Sequence, residues 1–353
     1  MAKKKKIKKS YKAESSGIPF KWYAWGALAL SILTLYYVFL FPNFKSRSEK
    51  FYYYLPGRAS SHYLADLLKE ENVLKSSLTF KLVATLFDVN ADEGLYEFKK
   101  GWNNLQILFY LKGKPAKEAM SIDIPVIRSR KKLINLLSKE IGVEADSLRA
   151  ALKDTTYLKE LSGLDKEAFY SVFLPGELKV YKTCDSYQLI DFVYSRYEQF
   201  WNNWRAEKAE AAGLLPEEVV ILSSIVYSES KLKEEMPMIA GLYINRLNNN
   251  MRLESDPTVV FAHNKFDIRR VFNKHKQVKS KYNTYRNKGL PPGPISTIPL
   301  YVIDSVLNFV PHEFIYFCAK DDMSGCHVFA ETFEEHKKNA ILYQKKLDSL
   351  KVK

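Results

Sequence analysis

The chain has 353 residues, enough for two or three domains with cores of their own, and 46% hydrophobic against 27% charged residues excludes a mainly disordered protein. Its net charge of +14 is uneven: residues 1–21 carry Lys3, Lys4, Lys5, Lys6, Lys8, Lys9, Lys12 and Lys21 against Glu14 alone. The remainder is only mildly basic, which argues against a nucleic-acid partner, and three cysteines are too few for a disulfide framework.

Residues 22–41, WYAWGALALSILTLYYVFLF, form an uncharged run that spans about 30 Å as a helix, the thickness of a bilayer core. Trp22, Tyr23 and Trp25 at one end and Tyr36 and Tyr37 near the other resemble interfacial belts. A cleaved signal peptide is the alternative. The run exceeds the usual apolar region of such a peptide, and FPNFKSRSEK offers no small-x-small cleavage site, so an uncleaved spanning helix is expected. The positive-inside bias then makes 1–21 a cytoplasmic tail, puts residues 45–353 outside, and makes the inner-membrane bilayer a partner. A lysine run is also a nucleic-acid signature, but its place beside a spanning helix makes topology the simpler reading.

After the helix, FYYYLP reads as extended, SSHYLADLLKEENVL as an amphipathic helix, and YEFKKG and LQILFYL as strands. Residues 121–152 echo the order: SIDIPVI is strand-like, and SRKKLINLLSKEIGV is helical with Leu133, Leu136 and Leu137 on one face. An α+β module used twice is expected, over 45–112 and over 113–205, where the second ends in a long aromatic helix. A third unit is expected over 213–350. It opens with PEEVVILSSIVYSE, with Pro216 at the first helical position and Glu217 and Glu218 in the first turn. A helix near 236–248, a short helix PTVVFAHN capped by Asp256, a helix IPLYVIDSVLNFV, a hairpin FIYFCAKDDMSGCHVFAE and a last helix opening with Thr332 and Glu335 complete the chain. The overall class is α+β. Cys318 and Cys326 flank the hairpin turn and either pair across it or are ordinary strand cysteines. No Cys/His spacing fits a metal, and His263, His327 and His336 read as structural. Neither metal nor cofactor is expected.

Within 216–230, Ile221, Leu222, Ile225 and Val226 occupy one arc at 100° per residue, and Glu229 falls inside it. Facing a packed surface at a helix C-terminus raises a carboxyl pKa, and a carboxyl protonated near neutral pH suits a general acid. The alternatives are a solvated Glu229 past a frayed helix end, or a pair with Lys231 or Lys233.

SSIVYSES, MIAGLYINRLNNNMRLESDPTVVFA, YNTYRNKGLPPGPIS and YFCAKDD…HVFAETFEEHKK, in this order across roughly 214–349, resemble the endolytic murein transglycosylase family (MltG, YceG-like). Across 50–200 the resemblance is looser and is to the family's LysM-like region. It implies a lyase that cuts the MurNAc–GlcNAc bond of peptidoglycan glycan strands, endolytically, leaving 1,6-anhydroMurNAc ends and so terminating nascent strands. One glutamate, matching Glu229, serves as acid and then base. Many relatives carry a second acid two positions earlier, where this chain has Tyr227. Peptidoglycan synthases and division proteins are the partner classes the resemblance leaves open.

The motif residues suggest a substrate site. Tyr282, Asn283, Thr284 and Tyr285 offer hydrogen bonds and a stacking face, although Asn283 and Thr284 also suit a turn. Ser255 and Thr258 bring hydroxyls, and Asp256 is either a helix cap or a partner. Asn245 and Arg246 orient Glu229 or substrate, with an ion pair as the alternative for Arg246. Pro291, Pro292 and Gly293 stiffen a cleft wall. A non-catalytic peptidoglycan-binding or scaffold protein is the competing function.

Overall fold

The computed structural model describes residues 20–87, 89–113, 118–201, 203–268 and 270–349; the expected cytoplasmic tail, up to residue 19, lies outside the described residues. The first element, α1 (Phe20–Phe39), is a 20-residue helix with no buried residue and a mean hydropathy of 1.4. Its root is keyed into the first folded unit. Val38 and Phe39 pack on that unit's core, and Asn104 Nδ2 donates to the Val38 carbonyl at 2.7 Å.

The first unit contains β1 (Lys50–Leu55), β2 (Ala59–Ser60), α2 (Ser61–Glu70), α3 (Ser77–Phe87), β3 (Asn90–Ala91), β4 (Gly94–Lys99) and α4 (Asn104–Leu111). Antiparallel β1 and β4 place Phe51 opposite Phe98, and the short β2 pairs with β3. The helices close a core around Phe44, Phe51, Leu64, Phe80, Phe98 and Ile107. LQILFYL, expected as a strand, is helix α4. Asn103 and Gln106 form a reciprocal capping box at its start, and Ile107, Leu108 and Leu111 are buried at helical spacing. Aromatic and β-branched content reads as strand locally, and the cap with the one-sided burial overrides it.

The second unit pairs β5 (Ala119–Ile124) with β6 (Gly176–Tyr181), antiparallel, around α5 (Arg130–Ile141), α6 (Ala145–Ala151) and α7 (Thr155–Ser162); α8 (Ser186–Phe200) comes next. Leu133 and Leu137 are buried, whereas Leu136 is only partly so. This unit does not keep a core to itself. One apolar cluster runs from Leu133 and Phe169 through Ile225 and Ile239 to Val302. Thr297 stitches the seam, its Oγ1 donating to the Pro125 carbonyl at 2.9 Å and accepting from the Ile127 amide at 2.6 Å.

The last region contains α9 (Asn203–Ala211), α10 (Pro216–Glu229), α11 (Met236–Asn248), α12 (Asp256–His263), α13 (Leu300–Leu307), the antiparallel strands β7 (Tyr316–Ala319) and β8 (His327–Ala330), and α14 (Phe333–Ser349). At the centre lies α10, touching α11, α12 and α13. It is buried from Val219 to Val226 without a break, Ser223 and Ser224 included, so the single apolar arc expected from its periodicity is too narrow. A helix packed on all sides has no solvent face to display. Cys318 and Cys326 are both free thiols; Cys318 pairs with Val328 across the ladder, and Cys326 lies before β8. The whole is a mixed α+β protein with an N-terminal apolar helix.

Candidate active site

Glu229 is the last residue of α10, and Ser230 caps the helix. The carboxyl therefore leaves the helix where the core opens into a groove of about 300 Å³, whose lining includes Tyr243, Arg246, Glu254, Asp256, Tyr285 and Phe317. Glu229 Oε1 accepts two hydrogen bonds, from Tyr243 OH at 2.9 Å and from Ser255 Oγ at 2.5 Å. Among the described residues Oε2 has no partner, and it is not among the sealed polar atoms, so it is the oxygen open to the groove. Burial pushes the Glu229 pKa above the ordinary carboxylate range. The Ser255 and Tyr243 bonds pull it back, nearby Asp256 adds to the rise, and the net shift is upward.

Each donor is itself held. Tyr243 comes from the buried face of α11 and stacks edge-on to Phe317 of β7 at 6.0 Å. Ser255 is buried; its amide donates to Thr284 Oγ1 at 3.0 Å, Thr258 Oγ1 donates to its carbonyl at 2.7 Å, and the two threonine hydroxyls meet at 2.8 Å. Thr258 and Thr284 thus act on Glu229 through Ser255. Asp256 is the first helical residue of α12, with Ser255 at the cap position, so the cap expected at Asp256 is one residue off. Its carboxylate accepts from Tyr285 OH at 2.7 Å and lies 3.8 Å from Lys276 Nζ. Behind the helix end, Glu235 accepts from the His327 amide at 2.6 Å, from its Nδ1 at 2.8 Å and from Ser230 Oγ at 3.1 Å, tying the cap of α10 to β8.

Other sequence-expected residues brace the groove or lie outside it. Arg246 is 6% exposed and donates to the carbonyls of Ile315, Arg252 and Leu253, joining α11, the following loop and the segment leading into β7. Asn245 Nδ2 binds the carbonyls of His312 and Phe314, away from Glu229. Asn283 is fully buried and folds its own loop, donating to Lys276 and Val278 carbonyls and accepting from the Tyr285 amide, so the turn reading holds. Tyr282 faces the second unit, where its hydroxyl meets Arg130 Nη2 at 2.5 Å and Glu167 Oε2 at 2.9 Å. Pro291, Pro292 and Gly293 are not groove lining either. A Cβ at Gly293 would sit 2.1 Å from the Glu167 carbonyl, so glycine is needed there for close approach to the second unit and not for a cleft wall.

Tyr243, Glu254, Phe317, Glu235 and His327 belong to the site or its support and escaped the sequence reading as such. Tyr243 alone left a signal, a hydroxyl placed where α11 otherwise reads as apolar. Asp256 also borders a second cavity of about 600 Å³, together with Ser228, Arg128, Phe261 and Arg270. His263 Nε2 donates to the His275 carbonyl at 3.0 Å, and no group of three or more metal-ligating side chains occurs among the described residues.

The sequence model of the YceG-like family matches residues 53–341. The chain belongs to the YceG-like family. Named members are similar to it at modest identity. An endolytic murein transglycosylase of Bacillus subtilis is 25% identical over 298 residues, covering 80% of this chain and 82% of the relative. One from Streptococcus pneumoniae is 27% identical over 198 residues, 54% of this chain and 36% of that longer protein. The crystal structure of a YceG-like protein from Listeria monocytogenes aligns with a TM-score of 0.52 at 23% identity, over 82% of this chain and 98% of that one. At that identity the likeness concerns the fold.

Proposed function

We propose that this YceG-like chain is a membrane-anchored lytic transglycosylase that cleaves the MurNAc–GlcNAc bond of peptidoglycan strands. The observation that carries the proposal is the carboxyl of Glu229, held through Oε1 by Tyr243 and Ser255, its pKa raised by burial, and open to a groove through Oε2. Oε2 donates its proton to the glycosidic oxygen as the bond to MurNAc C1 breaks. The resulting carboxylate takes the proton of the MurNAc C6 hydroxyl, whose oxygen bonds to C1. The glutamic acid is restored, no water enters, and a 1,6-anhydro end is left. Glycosidases that use water or a covalent intermediate need two carboxylates. Here the other two carboxylates of the groove are engaged, Asp256 by Tyr285 and Lys276 and Glu254 by Arg246, which supports the one-glutamate route. That Asp256 borders both the groove and the larger cavity supports room for glycan on either side of the cut, and so cleavage within strands and termination of nascent ones.

The anchor is α1, read with its N-terminus in the cytoplasm and the groove on the far side of the membrane. Its attachment through Val38, Phe39 and Asn104 supports retention over cleavage as a signal peptide, since removal would strip a contact from the first core. The strand–helices–strand order of the two N-terminal units supports a LysM-like, glycan-binding role for them.

The test is mass spectrometry of glycan strands digested by wild type and by Glu229→Gln. The wild type is expected to release 1,6-anhydro products, and the variant to lose at least about 10³-fold in rate with its fold retained, given two proton transfers by one group. Undiminished product from Glu229→Gln removes Glu229 from the mechanism. Reducing MurNAc ends from the wild type would make the enzyme a hydrolase.

A further inference from the structure

The first unit has a surface that catalysis does not use. In α3, SLTFKLVATLF, Phe80, Val83 and Ala84 fill the core. The opposite face is apolar too: Leu78, Leu82 and Leu86 are 68%, 53% and 68% exposed, spaced four residues apart so that they form one stripe. Phe87 at the end of α3 meets Phe109 of α4 edge-on at 5.6 Å, and both are exposed, which widens the stripe onto the next helix. Isolated exposed leucines are ordinary, but a contiguous apolar face on a small unit marks a contact.

Its position identifies the contact. The root of α1 packs against both α3 and α4. The patch therefore begins where an apolar, wholly unburied helix of membrane-spanning length leaves the folded body. Exposed Leu40 and Phe41 join the two surfaces, and Lys75 lies 5.3 Å over the Phe41 ring while exposed Lys112 comes directly after α4, so cations border the apolar area. An apolar face edged by lysines at the foot of a spanning helix fits the boundary between headgroups and acyl chains.

We propose that the exposed face of α3 and the adjoining edge of α4 bind the phospholipid surface beside α1, giving the protein a second membrane attachment. The inference rests on reading α1 as an anchor. Its consequence is orientation. The first unit is fixed to α8, since the Tyr52 amide donates to Ser195 Oγ at 2.7 Å and Glu198 accepts from Ser48 Oγ at 2.8 Å. A body held by α1 alone would swivel, whereas one resting on α3 as well presents the Glu229 groove at a set height and angle over the bilayer.

The test uses the full chain reconstituted in vesicles of phosphatidylethanolamine and phosphatidylglycerol containing a phospholipid with a photoactivatable diazirine in its acyl chain. After photolysis, adducts are mapped by mass spectrometry. Adducts are expected on α1 and also on Leu78, Leu82, Leu86 and Phe109. Labelling confined to α1 overturns the second attachment and leaves the anchor standing; labelling of neither overturns the anchor reading. Cross-links between α3 helices of two chains in place of lipid adducts would make the patch a dimer contact and overturn the proposal. The double variant Leu82→Glu, Leu86→Glu is expected to lose at least about tenfold of the α3 labelling while α1 labelling and the melting temperature are unchanged, because both side chains are exposed.

Discussion

Two regions of the molecule each set a partly buried glutamate against a tyrosine hydroxyl, with opposite results. At the seam between the second unit and the last region, Glu167 accepts from Tyr282 OH at 2.9 Å and is paired with Arg130. At the end of α10, Glu229 accepts from Tyr243 OH at the same distance and from Ser255. Burial pushes both pKa values up. At Glu167 the guanidinium outweighs burial, and the net shift is down. At Glu229 no cation among the described residues is bonded, burial and the neighbouring Asp256 outweigh the pull of Ser255, Tyr243 and His327, and the net shift is up. Tyrosine donors alone do not make an acid or a structural carboxylate. The charge beside the pair decides, so one region clamps two parts of the fold and the other favours the protonated carboxyl.

The seam should be the more fragile of the two. Gly293→Ala forces a methyl against the Glu167 backbone, and overpacking of this kind is expected to cost about 3 kcal/mol in denaturant unfolding. An unchanged midpoint would mean that the loop lifts off freely and that the seam is not tight. Glu167→Gln is expected to cost about 2 kcal/mol at pH 7, because Arg130 is left partly buried without its carboxylate. The sign is set by the lowered pKa: the contribution is present above the unfolded value and fades as pH falls through the folded one, so wild type and variant should converge in acid.

Glu229→Gln should do the reverse. A carboxyl whose folded pKa is raised holds its proton more tightly when folded, so stability falls as pH rises from the unfolded value to the folded one. A neutral amide avoids that loss, so the variant is expected to be more stable than wild type at pH 7, with the gain vanishing in acid once the carboxyl is protonated in the folded and the unfolded chain alike. Thermal melts across pH check this. A variant less stable than wild type at pH 7 would show that Glu229 serves the fold and not the reaction.

Legibility in the sequence differed between the same two regions for a physical reason. Glu229 was visible because a helix imposes a period, and a carboxylate at i+4 from Ile225 and i+3 from Val226 breaks the pattern. The burial of α10 on all sides was not visible, since Ser223 and Ser224 read as polar and only tertiary packing hides them. Likewise α4 resembled a strand until its cap was seen to be satisfied. The loop 282–293 carries the densest motif, yet Tyr282 and Gly293 contact residues more than 100 positions away in sequence, and no local period encodes such a partner. Ser255 and Thr284 were legible as hydroxyls near the site. That one holds the other, and through it the carboxyl, depends on the register of two loops.

The smallest expected effect is the sharpest check on the comparison. Tyr243→Phe removes one donor to Oε1 but leaves Ser255 and adds no charge. The Tyr243 bond favours the ionised carboxyl, so its loss should raise the Glu229 pKa further. The alkaline limb of activity, which marks the loss of the acid form, should move to higher pH, while the rate at the plateau falls less than about fivefold, the worth of a single hydrogen bond. A purely structural role for Tyr243 would lower activity at every pH without moving the limb. A limb that moves down would mean that the hydroxyl favours the neutral acid, reversing the charge argument on which the contrast between Glu229 and Glu167 stands.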